Sequence, residues 1–346
     1  MPQSRIDPEA LLAGPRGRRL CWTLVDELRL WLQAHVPESA GPGYLAAEVA
    51  AVIARDDVDA IARTQDPVAF LEVLCESMSW AWYWQEPEDW DRRLADRRVS
   101  ETLRPVAEAL GSAAAAQWWT TPMEPATQFE VRFEDPKRPT PPPERLDADS
   151  GLVQWRGDAL ALERRAESFP DDPTARYSGR WWSTPALSGL LHSTRAFGSA
   201  GPVGLALGED FLGWTSALCR AVTPPSDASI FEIRGPDDWV ELVERYPFAV
   251  PRSRRHDWWR ATGLDADWVI PDYLAAAADY DGIHLTVLGY LSTAGRALPV
   301  GKSDTVLAGW DPDATWWLTA RTNPTGPAVR WLCEDRSSPS RWTREI

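Results

Sequence analysis

The first third of the chain carries apolar residues at the spacing of amphipathic helices. One stripe, at positions 20, 24, 28, 31 and 35, predicts a helix that begins near Arg18. Proline and glycine in residues 37–43 should end it, and further helices are expected over residues 44–55, 56–63, 70–78 and 100–110. We therefore predict a helical domain over residues 1–116.

The pattern changes to strand-like alternation after residue 127. Short apolar or alternating runs predict strands over residues 128–133, 153–155, 192–197, 203–207, 229–233, 283–288, 305–307 and 314–319. Helical spacing returns over residues 159–166, 236–245 and 271–278. The predicted fold class is α+β, with an N-terminal helical bundle followed by a tryptophan-rich mixed β-sheet domain with flanking helices.

A proline-rich stretch separates the two parts. Residues 135–143 read DPKRPTPPP, which favours an extended, open chain and predicts a linker. The expected division is a helical domain (1–116), a strand with the linker (117–150), an α+β domain (151–322) and a surface tail (323–346). Limited proteolysis should cut first between Asp135 and Asp149, because prolines and charges leave that backbone unprotected.

The composition restricts the kinds of partner that we expect for this protein and the cellular compartment in which we expect it. The chain has 346 residues, a formal charge of −15 and a pI near 4.8. This balance disfavours nucleic acid and anionic membranes as partners. The four cysteines form no CxxC pair, so neither a structural metal nor a disulfide framework is predicted. No secretory signal and no apolar run of membrane-spanning length is recognisable, which predicts a cytoplasmic protein.

The chain is also rich in tryptophan and contains one internal echo. Several of the 21 tryptophans are adjacent pairs, which indicate a cleft, a partner surface or packing between layers. The pair in WWTTP (118–122) returns in WWSTP (181–185), and an arginine follows each proline by ten residues, Arg132 and Arg195. The echo is either a duplicated unit or a local packing motif.

Four histidines are candidates for chemistry. His35 ends a helical stripe and is expected to be structural. His256 lies in RSRRHD (252–257), the basic cluster of an acidic chain, which holds a phosphate or carboxylate or pairs with nearby acids. His192 precedes Ser-Thr-Arg (193–195), and His284 lies near a carboxylate. Both are candidates for an acid or base, or for core histidines.

The strand pattern predicts one shared pocket. We expect His192, Arg195 and His284 on neighbouring strands, with the two histidines within about 12 Å, two to three strand spacings. Alternation places Arg195 on the opposite face from His192, so it should reach the pocket at a strand end or bulge. HExxH, GxxxxGK[ST], GxGxxG and GxSxG motifs do not occur, which argues against the enzyme classes that they mark.

Four segments together resemble the strand set of bacterial ADP-ribosyltransferase domains: RWWSTP (180–185), HSTR (192–195), SIFEI (229–233) and GWDPDATWWL (309–318). The resemblance covers residues 176–320. It implies NAD as cofactor, Arg180 for phosphate contact, Ser193 and Thr194 for site shape, and Asp311 or Asp313 as the late acid. The family's late Gln/Glu-x-Glu motif has no late counterpart, since QFE (128–130) precedes the Ser-Thr motif. The composition of the whole chain also resembles that of actinobacterial proteins.

Three functions remain open from the sequence. The first is an interaction or immunity-type protein that contacts a partner through an aromatic-rich surface. The second is a nucleotide-handling enzyme of ADP-ribosyltransferase type, and the third is a small-molecule or sugar-binding module that uses paired tryptophans. The candidate residues are His192, His284 and Asp313 for catalysis and Arg180, Ser193, Thr194 and Arg195 for ligand binding, with no metal.

Overall fold

The fold was obtained as a computed structural model, and it describes residues 6–25, 35–37, 39–79, 81–134, 148–186, 189–209, 213–333 and 341–345. The first part is helical, as predicted. Its helices are α1 (Pro8–Ala13), α2 (Pro15–Thr23), α3 (Pro42–Ile53), α4 (Val58–Arg63), α5 (Leu71–Met78), α6 (Asp89–Leu94), α7 (Arg97–Ser100) and α8 (Arg104–Ser112).

Local sequence explains several helix ends in this part. Proline occupies the first turn of α1, α2, α3 and α8, where its missing N–H is not needed. The Asp7 carboxylate accepts from the Glu9 amide and caps α1. Ser100, the first residue of the helix predicted over 100–110, is the last residue of α7, and Asp96 caps α7 by accepting from the Arg98 amide.

A mixed sheet of nine strands forms the centre of the described structure. Its order is β13-β12-β4-β1-β2-β11-β8-β5, with β3 added beside β2. All pairs are antiparallel except β5 with β8. These strands are β1 (Gln128–Phe133), β2 (His192–Phe197), β3 (Gly201–Pro202), β4 (Ser216–Thr223), β5 (Ile230–Ile233), β8 (Gly282–Leu285), β11 (Ala314–Trp317), β12 (Asn323–Cys333) and β13 (Trp342–Arg344).

Helices and two small sheets surround this sheet. The helices are α9 (Ala148–Arg165), α10 (Pro236–Arg245), α11 (Arg255–Thr262), α12 (Tyr273–Ala276) and α13 (Val287–Thr293). The small sheets pair β6 (Pro247–Ala249) with β7 (Val269–Pro271), and β9 (Leu298–Val300) with β10 (Ser303–Thr305). The α+β class and the abundance of packed tryptophan are therefore confirmed.

One hydrophobic core joins the N-terminal helices to the sheet. It contains Leu20 and Leu74 from the helices together with Ile283 and Leu285 from β8. A side chain at Gly14 would lie 2.2 Å from the Leu291 carbonyl oxygen, so α2 begins in direct contact with α13. Among the described helices, none has the length and apolarity that a membrane crossing requires.

Several predicted elements differ in the structure, among them the strand over residues 305–307, which is replaced by β10 (Ser303–Thr305). Residues 153–155 belong to the single helix α9, and residues 203–205 form a 3-10 helix. The strand over 283–288 stops at Leu285, because the Thr286 hydroxyl accepts from the Gly289 amide and starts α13. The expected surface tail supplies β12, which pairs with β4 inside the sheet. The predicted linker falls mostly on residues 135–147, outside the described residues.

Candidate functional site

A row of buried polar side chains crosses one face of the sheet. The register places Glu232 beside His284, His284 beside Thr315, and Thr315 beside Ser193. These positions alternate with residues of the main core, so the row lies on the face directed away from that core. We call these four residues, with Arg195, Asp313 and Gln128, the polar row.

The ion pair of Arg195 and Asp313 is the centre of the polar row. Arg195 Nε donates to Asp313 Oδ1 at 2.5 Å, and the Arg195 amide donates to Oδ2 at 2.9 Å. Thr194 Oγ1 also contacts Oδ2, at 3.2 Å. Asp313 has φ of 59°, a left-handed conformation that Asp adopts more readily than most residues. This turn at the start of β11 aims the carboxylate at the neighbouring strand.

His284 continues the row between two carboxylates. Its Nδ1 lies 2.6 Å from Glu232 Oε2, and its Nε2 lies 3.4 Å from Asp313 Oδ1, an ion-pair contact without hydrogen-bond geometry. Burial by itself lowers the pKa of His284, but Asp313 and Glu232 outweigh it and the net direction is upward. Burial likewise raises the pKa of Asp313, whereas His284 and Arg195 outweigh it and lower that pKa. The row therefore alternates basic and acidic side chains, in the order Arg195, Asp313, His284 and Glu232.

The segment that follows Trp118 covers the row. Arg195 Nη1 donates to Thr121 Oγ1 at 2.8 Å, Nη2 donates to the Pro122 carbonyl at 3.1 Å, and the guanidinium lies 5.2 Å from the Trp118 ring. The Met123 amide donates to Glu232 Oε1 at 3.0 Å. The donors of Arg195 are thus used inside the protein, and the row ties the cover to the sheet.

The hydroxyl of Ser193 also has all its hydrogen bonds inside the protein. Its hydroxyl donates to Gln128 Oε1 at 2.7 Å and accepts from Trp317 Nε1 at 2.9 Å. Thr315 Oγ1 is buried without a partner. A buried serine with both hydrogen-bonding roles filled is suited to holding strands together rather than to shaping an open cleft.

The predicted shared pocket of His192, Arg195 and His284 is not formed. His192 pairs with Trp316 in the register, which places it on the face opposite Ser193, Thr315 and His284. Its ring lies 5.0 Å from the Trp316 ring. The strand assignment was correct, but alternation decides the face, and antiparallel register aligned His284 with Ser193 instead.

A second cluster, the arginine site, consists of Arg180, Trp182, Ser253 and Arg254. The Arg254 guanidinium is buried, with 2% of the residue exposed, and Nη1 donates to Ser253 Oγ at 2.9 Å. Arg254 forms no ion pair in the described structure, and its Nε is buried without a partner. Burial and the like charge of Arg180 lower the pKa of Arg254 to about 9. Glu163 and Asp257 act in the opposite direction on this pKa, but neither forms an ion pair with Arg254.

Arg180 and Trp182 complete the arginine site. Arg180 lies 5.4 Å from the Trp182 ring centre and has no acidic partner within ion-pair distance in the described structure. Trp182 Nε1 is buried and unpartnered. The segment is held against α11 by Asp257, which accepts from the Gly179 amide at 2.9 Å and from Ser178 Oγ at 2.8 Å. Arg180, Arg254 and the indole N–H of Trp182 therefore lie in one cluster, and neither arginine forms an ion pair within the described residues.

The two copies of the echo adopt different conformations. Residues 114–120 form a 3-10 helix, whereas residues 181–183 are irregular. The first copy covers the polar row, and the second carries Trp182 of the arginine site. The two copies of the repeated sequence therefore have different structures and different surroundings.

The described residues form no aromatic-rich surface of the kind expected from the tryptophan pairs. Every described tryptophan is buried or half-buried, and the exposed large aromatic residues are Tyr44 and Tyr177. Pairs pack with each other or with neighbours; for example, Trp181 contacts Tyr83, Trp84 and Trp182 at 4.9–5.6 Å between ring centres. Packing between layers accounts for this composition.

An apolar groove of about 580 Å³ lies on the other face of the sheet, beside Phe129, Ala196 and Trp331. Arg344 carries the only charge among its described lining residues. No group of three or more His, Cys, Asp or Glu residues in the described ranges is arranged to hold a metal. No family model, no curated protein and no solved structure matches this chain.

The sequence signalled part of both clusters. It selected His284, Asp313, Ser193, Thr194 and Arg195, which do come together, and Arg180, which lies apart from them. It missed Glu232 and Gln128, although a charged residue inside the apolar run SIFEI was a usable signal. The basic cluster 252–257 marked Arg254 only as one of several arginines.

Proposed function

We propose that this protein binds a small ligand that carries a phosphate or carboxylate group, at the arginine site. The observation that carries the proposal is the buried Arg254 guanidinium without a carboxylate partner. A buried uncompensated cation is destabilising, and such residues are retained where a partner charge completes them. The planar guanidinium suits the paired oxygens of phosphate and carboxylate.

The surroundings favour a small molecule over a macromolecular anion. Arg254 is buried, so only a compact group reaches its donors. Trp182 offers a ring face and an unpartnered N–H beside Arg180, which suits the apolar or aromatic part of a small ligand. The net charge of −15 disfavours long polyanions at the same time.

NAD remains a prediction from the resemblance. Arg180 is available for a diphosphate, but Ser193 and Arg195 are committed to the polar row under residues 121–123. Only the phosphate-contact part of the implied arrangement therefore has residues that fit. The interaction or immunity-type function also remains a prediction, and the aromatic surface that it expects is not formed by the residues that the structure describes.

Thermal unfolding with defined anions tests the proposal. Inorganic phosphate, pyrophosphate, acetate and NAD are titrated at constant ionic strength, because general screening also alters stability. We expect at least one of them to raise the Tm, with a stabilisation of about 2.7 kcal/mol at a hundred times its Kd. The pattern distinguishes inorganic phosphate, simple carboxylate and dinucleotide. No shift with any of these anions would contradict the proposal.

Variants separate the site from general effects. Arg254→Met should abolish the anion-induced shift while leaving the ligand-free Tm equal or higher, because it removes an unpaired buried charge. Arg180→Gln should weaken the shift without unfolding the protein. Arg220→Gln is the matched control, since Arg220 is exposed on β4. A shift that persists in Arg254→Met and Arg180→Gln would overturn the assignment.

A further inference from the structure

Helix α9 (Ala148–Arg165) buries one side and leaves the opposite side open. Its buried side includes Leu152, Trp155 and Ala159. At about 100° per residue, Gly157 points away from that side. Val153 and Leu160 flank Gly157 and are 59% and 47% exposed, the two most exposed large aliphatic side chains in the described structure.

Residues on the open side of α9 are arranged symmetrically about the midpoint of the helix. Val153 and Leu160 are equally far from the helix midpoint, which lies between Arg156 and Gly157. Asp149 and Arg164 are also equally far from it, near opposite ends. Neither of these two charged residues forms an ion pair within the described part of the chain.

Two copies of α9 that run antiparallel about a two-fold axis would therefore present complementary side chains to each other. Each Val153 then meets Leu160 of the second copy, and each Asp149 meets Arg164 of the second copy. Gly157 lies at the crossing point, and a side chain there would meet nothing within 4 Å in the monomer. The same pairing places Gly157 opposite Arg156 of the second copy, and the missing side chain leaves room for that arginine.

We propose that the open side of α9 is a self-association surface and that its occupant is a second copy of this chain. Two apolar contacts and two charge pairs follow from the single two-fold axis. One helix pair of about 27 Å is a small interface, so we expect a weak, reversible dimer whose population rises with protein concentration.

Charge exchange tests the pairing directly. Sedimentation of the full chain across a wide concentration range gives the dimer Kd. Asp149→Arg alone, or Arg164→Asp alone, places like charges opposite each other twice per dimer and should raise the Kd by at least about fivefold. The double variant Asp149→Arg/Arg164→Asp restores opposite charges and should return the Kd close to its original value.

Two further variants test whether association depends specifically on the open side of α9. Leu160→Glu should abolish association, because it places a carboxylate against Val153 of the second copy. Leu264→Glu is the matched control, since Leu264 is 39% exposed outside α9, and it should leave the Kd unchanged. A Tm for each monomer shows that α9 still folds. A protein that stays monomeric at every concentration, or a double variant that fails to regain association, would overturn the proposal.

Discussion

At the scale of single residues, two buried arginines of this chain have opposite surroundings. Arg195 has Asp313 against its Nε and carbonyl or hydroxyl oxygens at both terminal nitrogens. Arg254 has one serine hydroxyl and no carboxylate. Removing the partner of a buried charge costs about 3–5 kcal/mol, so Arg195 depends on Asp313, whereas Arg254 has no such partner to lose. The contrast distinguishes a structural network from the ligand site that we propose.

The pH dependence of stability should follow His284 and Asp313. The pKa of His284 is raised in the folded state, so its contribution is complete below its unfolded value of about 6.5 and is lost as the pH rises through the folded pKa. The pKa of Asp313 is lowered, so its contribution is present above about 3.9 and is lost as the pH falls through the folded value.

Urea unfolding against pH measures this dependence. We expect the wild type to lose stability from mildly acidic to alkaline pH more steeply than His284→Gln, which lacks the titrating group. His35→Gln is the control, because His35 is exposed. If His284→Gln and the wild type show parallel curves above pH 6.5, the charged form of His284 does not stabilise the fold.

At the scale of elements, local sequence decided where helices begin and end. Tertiary contacts decided where those helices pack. Pro236–Arg245 was predicted to the residue from Pro236 and its two following aspartates. Helix α13 was missed because Thr286 and residues 287–288 continue the strand alternation. Its place is set by Gly289, where a side chain would lie 2.3 Å from the Ile233 carbonyl oxygen.

Gly289→Ala should therefore destabilise the protein. The methyl group must push α13 away from β5, and forced overpacking of this kind costs about 1–3 kcal/mol. Gly43→Ala is the matched control in α3, where the new methyl meets nothing within 4 Å. It should leave the free energy of unfolding unchanged or raise it by up to about 1 kcal/mol, because alanine is the better helix former. If both substitutions change the urea midpoint equally, the close packing of α13 against β5 is refuted.

At the scale of the whole molecule, the N-terminal part supplies a central strand. Strand β1 lies between β4 and β2, both of which follow the predicted linker in the chain. Further contacts join the same parts: Tyr83 donates to Glu209 at 2.5 Å, and Arg260 Nε donates to the Trp84 carbonyl at 2.8 Å. The two halves of the sequence therefore complete one sheet and one core.

Proteolytic nicking tests this shared core. A cut between Asp135 and Asp149 should give two fragments that elute together under native conditions, because β1 stays paired on both sides. They should separate only in denaturant. Uncut protein carried through the same steps is the control. Fragments that separate in native buffer would show that the helical and sheet parts are independent domains.

The sequence by itself determined many of the local elements of this protein and its fold class. Periodicity set the N-terminal helices and the strands at 128–133 and 192–197, since side-chain spacing is a property of the chain alone. The tertiary structure decided the rest. Register placed His284 beside Ser193 and left His192 on the other face, and a one-residue change of register would have reversed this. Long-range packing also left Arg254 buried without an acid, because burial depends on every layer around a residue.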